Sequence, residues 1–292
     1  MELSKKVTFI TGFEKNCGKT TFLNYLLSKY DSNKKIMCLT VGLDYDGKGI
    51  LDDDYKPKVY VKKNWKALTN TSFLKSFNFS YEINDVYDTD VMGGKPVLIT
   101  PKYDSYIKLS SPGPDLLRIL DSQKFNVERF FIDGAFDRIT QISRLEGSEF
   151  YYVFKVNASN METVSDKIKL LNSFMTAEIK RQNMDFLNET KKDFEVFVDT
   201  LYLKGALTYS KIKGFPSNIK NIVISDFTKV FLGYNDWVSF SQKYKVLFSY
   251  SFKFCGYVIN LYDISIKDFE SRFDKKITSK FIYNPYEHRK IL

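Results

Sequence analysis

The sequence is poor in the residues that build most protein metal sites and disulfide frameworks. It carries one histidine, His288 in a polar tail, and three scattered cysteines, Cys17, Cys38 and Cys255. No CxxC pair or Cys/His cluster occurs, which argues against a dedicated zinc site and a disulfide scaffold. No apolar run approaches the roughly 20 residues needed to span a bilayer. The amino terminus enters an apolar strand almost at once, so no signal peptide is expected, and the expected location is cytoplasmic. GxGxxG, a nucleophile elbow and an NKxD guanine-reading motif are all missing. So are repeats, linkers and low-complexity tracts.

What is present describes a folded α/β protein. The chain has 292 residues, 43% hydrophobic and 16% aromatic, enough for one large core or two smaller ones. Its formal charge is +9. The lysines are spread along the chain instead of gathered in one arm. That pattern reads as a solvated surface and argues against nucleic acid, while nucleotide phosphates or an acidic partner protein would share the benefit.

The strongest chemical signal lies in KVTFITGFEKNCGKTT, residues 6–21. Val7, Phe9 and Ile10 read as a buried strand. Phe22, Leu23, Leu26, Leu27 and Tyr30 recur at helical spacing after it. Between them lies a glycine loop ending in Lys19-Thr20-Thr21, the context of a phosphate loop. Gly12 and Gly18 let the backbone curl so that amides, including those of Asn16 and Cys17, face phosphate oxygens. The helix start adds its positive end. Lys19 would reach the β- and γ-phosphates, the Thr20 hydroxyl would hold Mg²⁺, and Thr21 would add a bond to the α-phosphate. Five residues, Phe13 to Cys17, separate the two glycines where the common pattern has four. This longer loop resembles that of dethiobiotin synthetase. A second signal is RFFIDGAFDR, residues 129–138, where an apolar strand closes on Asp133 before Gly134. A carboxylate so placed orients Mg²⁺ in phosphate-loop proteins.

The remaining elements give an α/β fold of P-loop NTPase type: a mostly parallel sheet flanked by helices, with an α/β carboxy-terminal half. The division falls at 1–148 and 149–292, the alternative being one continuous domain. Residues 35–41 read as the second strand. Asp44 and Asp46 in the following loop would approach the metal or its waters, or form an ordinary acidic turn. Residues 65–77 suggest a helix. Val97 to Thr100 reads as a strand, with Thr100 and Lys102 at its end as candidates for contact with a substrate or partner. Ser159 and Glu162 have capping-box spacing ahead of a helix bearing Val164, Ile168 and Leu171. Strands are expected over 151–156, 194–198, 221–224 and 257–261.

The order of KNCGKTT (15–21), TVGLDYDGK (40–48), ITPKYDSYIKLSSPGPDLL (99–117) and FFIDGAFDR (130–138) resembles the KamB-like ATP-binding reactivase subunit of lysine 5,6-aminomutase. GALT (205–208) and VISDFTKVFL (223–232) extend the likeness. Where that family more often has a G-R-D-G after the second strand, this chain has GLDYDGKG, which leaves the roles of Asp44 and Asp46 open. The resemblance implies an ATP- and Mg²⁺-dependent ATPase. It would work with a second reactivase subunit and restore a cobalamin-dependent aminomutase by driving cofactor exchange. A homo-oligomer is compatible with this. The alternative is a dethiobiotin-synthetase-like ligase or small-molecule kinase, with its acceptor near Asp44/Asp46 or Thr100/Lys102.

Overall fold

A computed structural model describes residues 6–41, 58–91, 93–134, 147–181, 184–188 and 190–283. The first strand, β1 (Lys6–Gly12), is followed by helix α1 (Lys19–Leu27) and strand β2 (Ile36–Thr40). Next come β3 (Val59–Val61), β4 (Lys66–Asn70), α2 (Thr71–Leu74), β5 (Tyr81–Val86), β6 (Pro96–Pro101) and β7 (Ser105–Ile107). Helix α3 (Leu116–Asp121), β8 (Arg129–Asp133), β9 (Glu149–Val156) and α4 (Met161–Met175) continue the chain.

β1 is buried from Val7 onward because both of its faces are covered. Val7 and Phe9 join one core with Leu39, Phe130, Ile132 and Phe154, while Ile10 joins another with Cys38, Phe131 and Val153. Continuous apolar runs of this kind belong to parallel strands sandwiched between layers. α1 covers the second face through Phe22, Leu23 and Leu27. Phe22 meets Tyr151 edge-on at 5.0 Å, and Tyr30 meets Phe131 at 5.4 Å. A buried ring such as Phe131 contributes about 3–5 kcal/mol relative to alanine.

The chain then forms β10 (Glu178–Ile179), β11 (Phe194–Phe197), β12 (Thr200–Leu203), α5 (Tyr209–Ile212), β13 (Asn221–Ile224), α6 (Tyr234–Lys243) and β14 (Lys245–Phe248). It closes with β15 (Lys253–Leu261), α7 (Ile266–Glu270), α8 (Lys275–Thr278) and β16 (Phe281–Tyr283). Among the described residues, the main sheet has nine strands in the order β16-β15-β9-β1-β8-β2-β4-β6-β5. It is parallel except at β6, which runs antiparallel to β4 and β5. β9, β15 and β16 extend it on the far side of β1, so the 148/149 division falls just before β9, within one sheet. A separate five-stranded sheet, β10-β14-β13-β12-β11, is confined to residues 178–248. α4 bridges the two: Tyr257 donates its hydroxyl to the Ile168 carbonyl at 3.4 Å, and Phe174 meets Trp237 of α6 at 4.7 Å.

Two local expectations are corrected. Within 65–77, expected to be helical, Lys66–Asn70 form strand β4, whose Ala67 to Asn70 are buried between β2 and β6. Ladder pairing there overrides apolar spacing, and only Thr71–Leu74 is helical, capped by Asn70 accepting from the Ser72 amide at 2.9 Å. The capping box at Ser159 does not form. Asn160 is the first residue of the α4 cap, and the Ser159 amide and hydroxyl both bond to the Asn157 side chain instead.

Glu149 ties three strands together near their amino ends, meeting Arg129 at 3.4 Å and Lys253 at 2.8 Å. Burial alone would raise its carboxyl, but Lys253, and then Arg129, outweigh this and hold it below the ordinary value. A depressed folded-state pKa stabilises the fold above the unfolded value of about 4.3 and is lost as pH falls through the folded one. The melting temperature should therefore drop steeply below about pH 4, and Glu149→Gln should flatten that limb while lowering stability near neutrality. An unchanged acid limb would show that this cluster contributes nothing.

Candidate functional site

The candidate site gathers where β1, β8 and β2 end. Parallel register aligns Ile10 and Thr40 with Asp133. From β1 the chain passes through α1 to β2 on one side, whereas β8 leads to β9 on the other. Ligands of open α/β sheets bind where successive connections diverge in this way.

Residues 13–18 leave the end of β1 as a tight loop. The Phe13 amide donates to the Val153 carbonyl at 3.0 Å, and the Phe13 ring lies 5.7 Å from Phe154. Asn16 and Gly18 adopt φ of 58° and 99°. A Cβ on Gly12 would lie 2.4 Å from the Cys17 sulfur and 2.9 Å from Lys19 Cγ, so only glycine fits beneath the loop. Gly18 starts α1 without a side-chain cap, and the first turn holds no acidic residue. Its amide ends and positive pole therefore face the loop.

The polar side chains converge. Lys19 Nζ donates to the Glu14 carbonyl at 2.9 Å and lies 3.7 Å from the Cys17 sulfur. Thr20 donates its hydroxyl to Asp133 Oδ2 at 2.7 Å. The Asp133 carbonyl accepts from the Thr40 hydroxyl at 2.8 Å and the Val41 amide at 3.0 Å, which fixes the strand end. A Cβ on Gly134 would come within 2.7 Å of the Ile10 carbonyl, so β8 can hug β1 there only with glycine. Burial pushes the Cys17 thiol above its ordinary value despite the opposing charge of Lys19. It packs the loop and is not poised as a nucleophile.

Gly12, Asn16, Cys17, Gly18, Lys19, Thr20 and Thr21 thus share one loop and helix start, with Asp133 alongside. Asn16 and Thr21 are exposed on it. Asp44 and Asp46 lie outside the described residues, as do Asp137, Arg138 and His288. Thr100 and Lys102, expected to contact a substrate or partner, lie away from this loop. β6 is antiparallel, so its carboxyl end points to the opposite edge of the sheet, level with the start of β4. Thr100 donates there to Asn84 at 2.7 Å and accepts from Lys66 at 3.2 Å.

Sequence reasoning passed over Asn260. It is buried in β15 and donates Nδ2 to the Cys17 carbonyl at 2.8 Å. The only signal is one amide interrupting the apolar run YVINL. In the second sheet Asp226 serves its own turn: it is buried and accepts from the Thr228 amide at 2.9 Å.

Comparisons with family models, with curated proteins and with solved structures found no match. Function is therefore argued from this geometry. Asn260→Ala would strip a buried carbonyl of its partner, a loss of about 1–3 kcal/mol. Urea denaturation should record that loss. No change in the midpoint would mean that β15 does not support the loop.

Proposed function

We propose that this chain is a phosphate-loop ATPase acting on a partner protein, of the KamB-like reactivase kind. The observation that carries the proposal is the 2.7 Å hydrogen bond from Thr20 to Asp133 beside the Lys19 loop. A hydroxyl and a carboxylate at that spacing form the donor pair that hydrated Mg²⁺ takes from phosphate-loop proteins. The loop fits a phosphate in its own right: glycine-dependent curvature at Gly12, a left-handed Gly18, and uncapped amides at the head of α1.

On this reading the amides of residues 13–20 and the Lys19 ammonium hold the β- and γ-phosphates. Lys19 would exchange the Glu14 carbonyl for a phosphate oxygen. Thr20 and Asp133 would hold Mg²⁺, which neutralises charge developing on the phosphoryl oxygens. Asp133 hydrogen-bonded to Thr20 also orients that hydroxyl before nucleotide arrives. ATP is preferred to GTP because no NKxD motif is present. The partners implied are a second reactivase subunit and a cobalamin-dependent aminomutase, with hydrolysis slow until the partner completes the site.

The five-residue loop keeps a ligase or kinase of dethiobiotin-synthetase type as the second reading. Its acceptor candidates are the loop holding Asp44 and Asp46 and the end of β6 at Thr100 and Lys102.

Mg-ATP at a hundredfold excess over Kd should stabilise the protein by about 2.7 kcal/mol, read as a rise in melting temperature. Lys19→Ala should abolish the rise without unfolding the chain. Asp133→Asn should lower the hydrolysis rate by roughly tenfold or more while changing nucleotide affinity far less. A full thermal shift in Lys19→Ala would remove the loop from the site. Rapid phosphorylation or ligation of a small metabolite would favour the second reading.

A further inference from the structure

β3 and β7 form a two-stranded ribbon outside the main sheet. Val59, Val61, Ser105 and Ile107 are buried beneath it, with Val59, Val61 and Ile107 in the same core as Phe22, Leu23 and Leu27 of α1. The alternate positions point away. Tyr60 and Tyr106 face each other across the ladder, their rings 5.2 Å apart. Tyr106 is 61% exposed and neighbouring Tyr103 is 69% exposed. Residues 58–63 and 102–108 contain Lys58, Lys62, Lys63, Lys102 and Lys108 against the single acid Asp104. Lys58, Lys63 and Lys102 are exposed, while Lys62 is tethered to the Tyr30 carbonyl.

The ribbon is fastened to the nucleotide loop's own helix. Asn24 lies one turn beyond Thr20, and its amide bonds the β3 backbone twice. Nδ2 donates to the Lys58 carbonyl at 3.0 Å, and Oδ1 accepts from the Tyr60 amide at 2.8 Å. The ribbon is thus joined to α1 by shared apolar packing and by this directional pair of hydrogen bonds.

We propose that the outer face of this ribbon docks a predominantly acidic protein partner and that Asn24 couples docking to the nucleotide loop. The coupling half rests on the ATPase reading above. Exposed tyrosines ringed by lysines are the composition of an interface anchor with a steering rim. Asp104 decides between protein and nucleic acid. It is held at one end of the ribbon by the Lys63 amide at 2.9 Å and the Tyr60 hydroxyl at 2.7 Å. Those bonds, the amide first, keep its carboxyl below the ordinary value, so it stays charged. A nucleic-acid strand would meet this fixed anion with its phosphates. A protein can set a cation or an amide against it. The Tyr60 ring, bound through its hydroxyl and flanked by Tyr106, is also poorly placed as a stacking platform.

The test uses the full chain with two probes: a fluorescein-labelled peptide rich in Glu and Leu, and a labelled oligothymidylate of matching charge. Anisotropy should show salt-sensitive binding of the peptide and weaker binding of the oligothymidylate. The triple variant Lys58→Glu, Lys63→Glu, Tyr106→Ala should weaken peptide binding by about tenfold or more, with the Mg-ATP affinity unchanged. Asn24→Ala should still bind peptide and Mg-ATP, but peptide should no longer accelerate its ATP hydrolysis. Undiminished peptide binding by the triple variant, or tighter binding of oligothymidylate, overturns the docking proposal. Undiminished acceleration in Asn24→Ala overturns the coupling. The two readings fail separately: peptide binding without any Mg-ATP binding sinks the ATPase, and Mg-ATP binding without peptide binding sinks the docking face.

Discussion

The hydrogen bond from the Thr20 hydroxyl to the Asp133 carboxylate joins residues 113 apart in sequence, and the site depends on it. It can form only if β1 and β8 end at the same height. That height is set by a parallel ladder running from Lys6 opposite Arg129 to Ile10 opposite Asp133. A slip of one residue would turn every side chain of β8 to the other face of the sheet. Phe130 and Ile132 would then leave one core and Phe131 the other. Two separate cores thus hold one hydrogen bond in register.

The loop between β1 and α1 is held from three directions. β9 takes the Phe13 amide, β15 takes the Cys17 carbonyl through Asn260, and the packed Cys17 and Lys19 side chains occupy the space over Gly12. A loop that must present its amides inward satisfies few of its own backbone groups, so neighbouring strands supply the partners. This gives a physical reason for the carboxy-terminal half to extend the main sheet. Residues beyond 148 supply the edge of the sheet and two of the loop's supports. The second sheet reaches the first through α4, whose Ile168 and Phe174 contact β15 and α6.

On the other side of the site, α1 links the loop to the ribbon of β3 and β7. Its apolar face is buried against the sheet, and Asn24 grips the β3 backbone beyond it. α1 thus begins at the glycine loop and is bonded at Asn24 to the ribbon. The basic surplus that the sequence spreads along its length is locally concentrated on this ribbon by folding.

Much of the site was legible from residue order. Strand, glycine loop, Lys-Thr and helix are adjacent in the chain, and their geometry is set by local rules: where a Cβ is excluded, where a helix can start, which spacing buries one face. Asp133 was legible for the same reason, as the polar end of an apolar run. Pairing decided the rest. Thr100 and Lys102 sit at a strand end, yet β6 runs antiparallel, and direction within a sheet is a property of the partner strands. Lys66–Asn70 fall in a segment expected to be helical but lie between β2 and β6, where ladder bonds outweigh a weak local preference. Asn260 could not be assigned from its neighbours at all, because the carbonyl it serves lies 243 residues away. Local backbone chemistry therefore wrote the loop into the sequence, while the long-range register that aims and supports it exists only in the folded sheet.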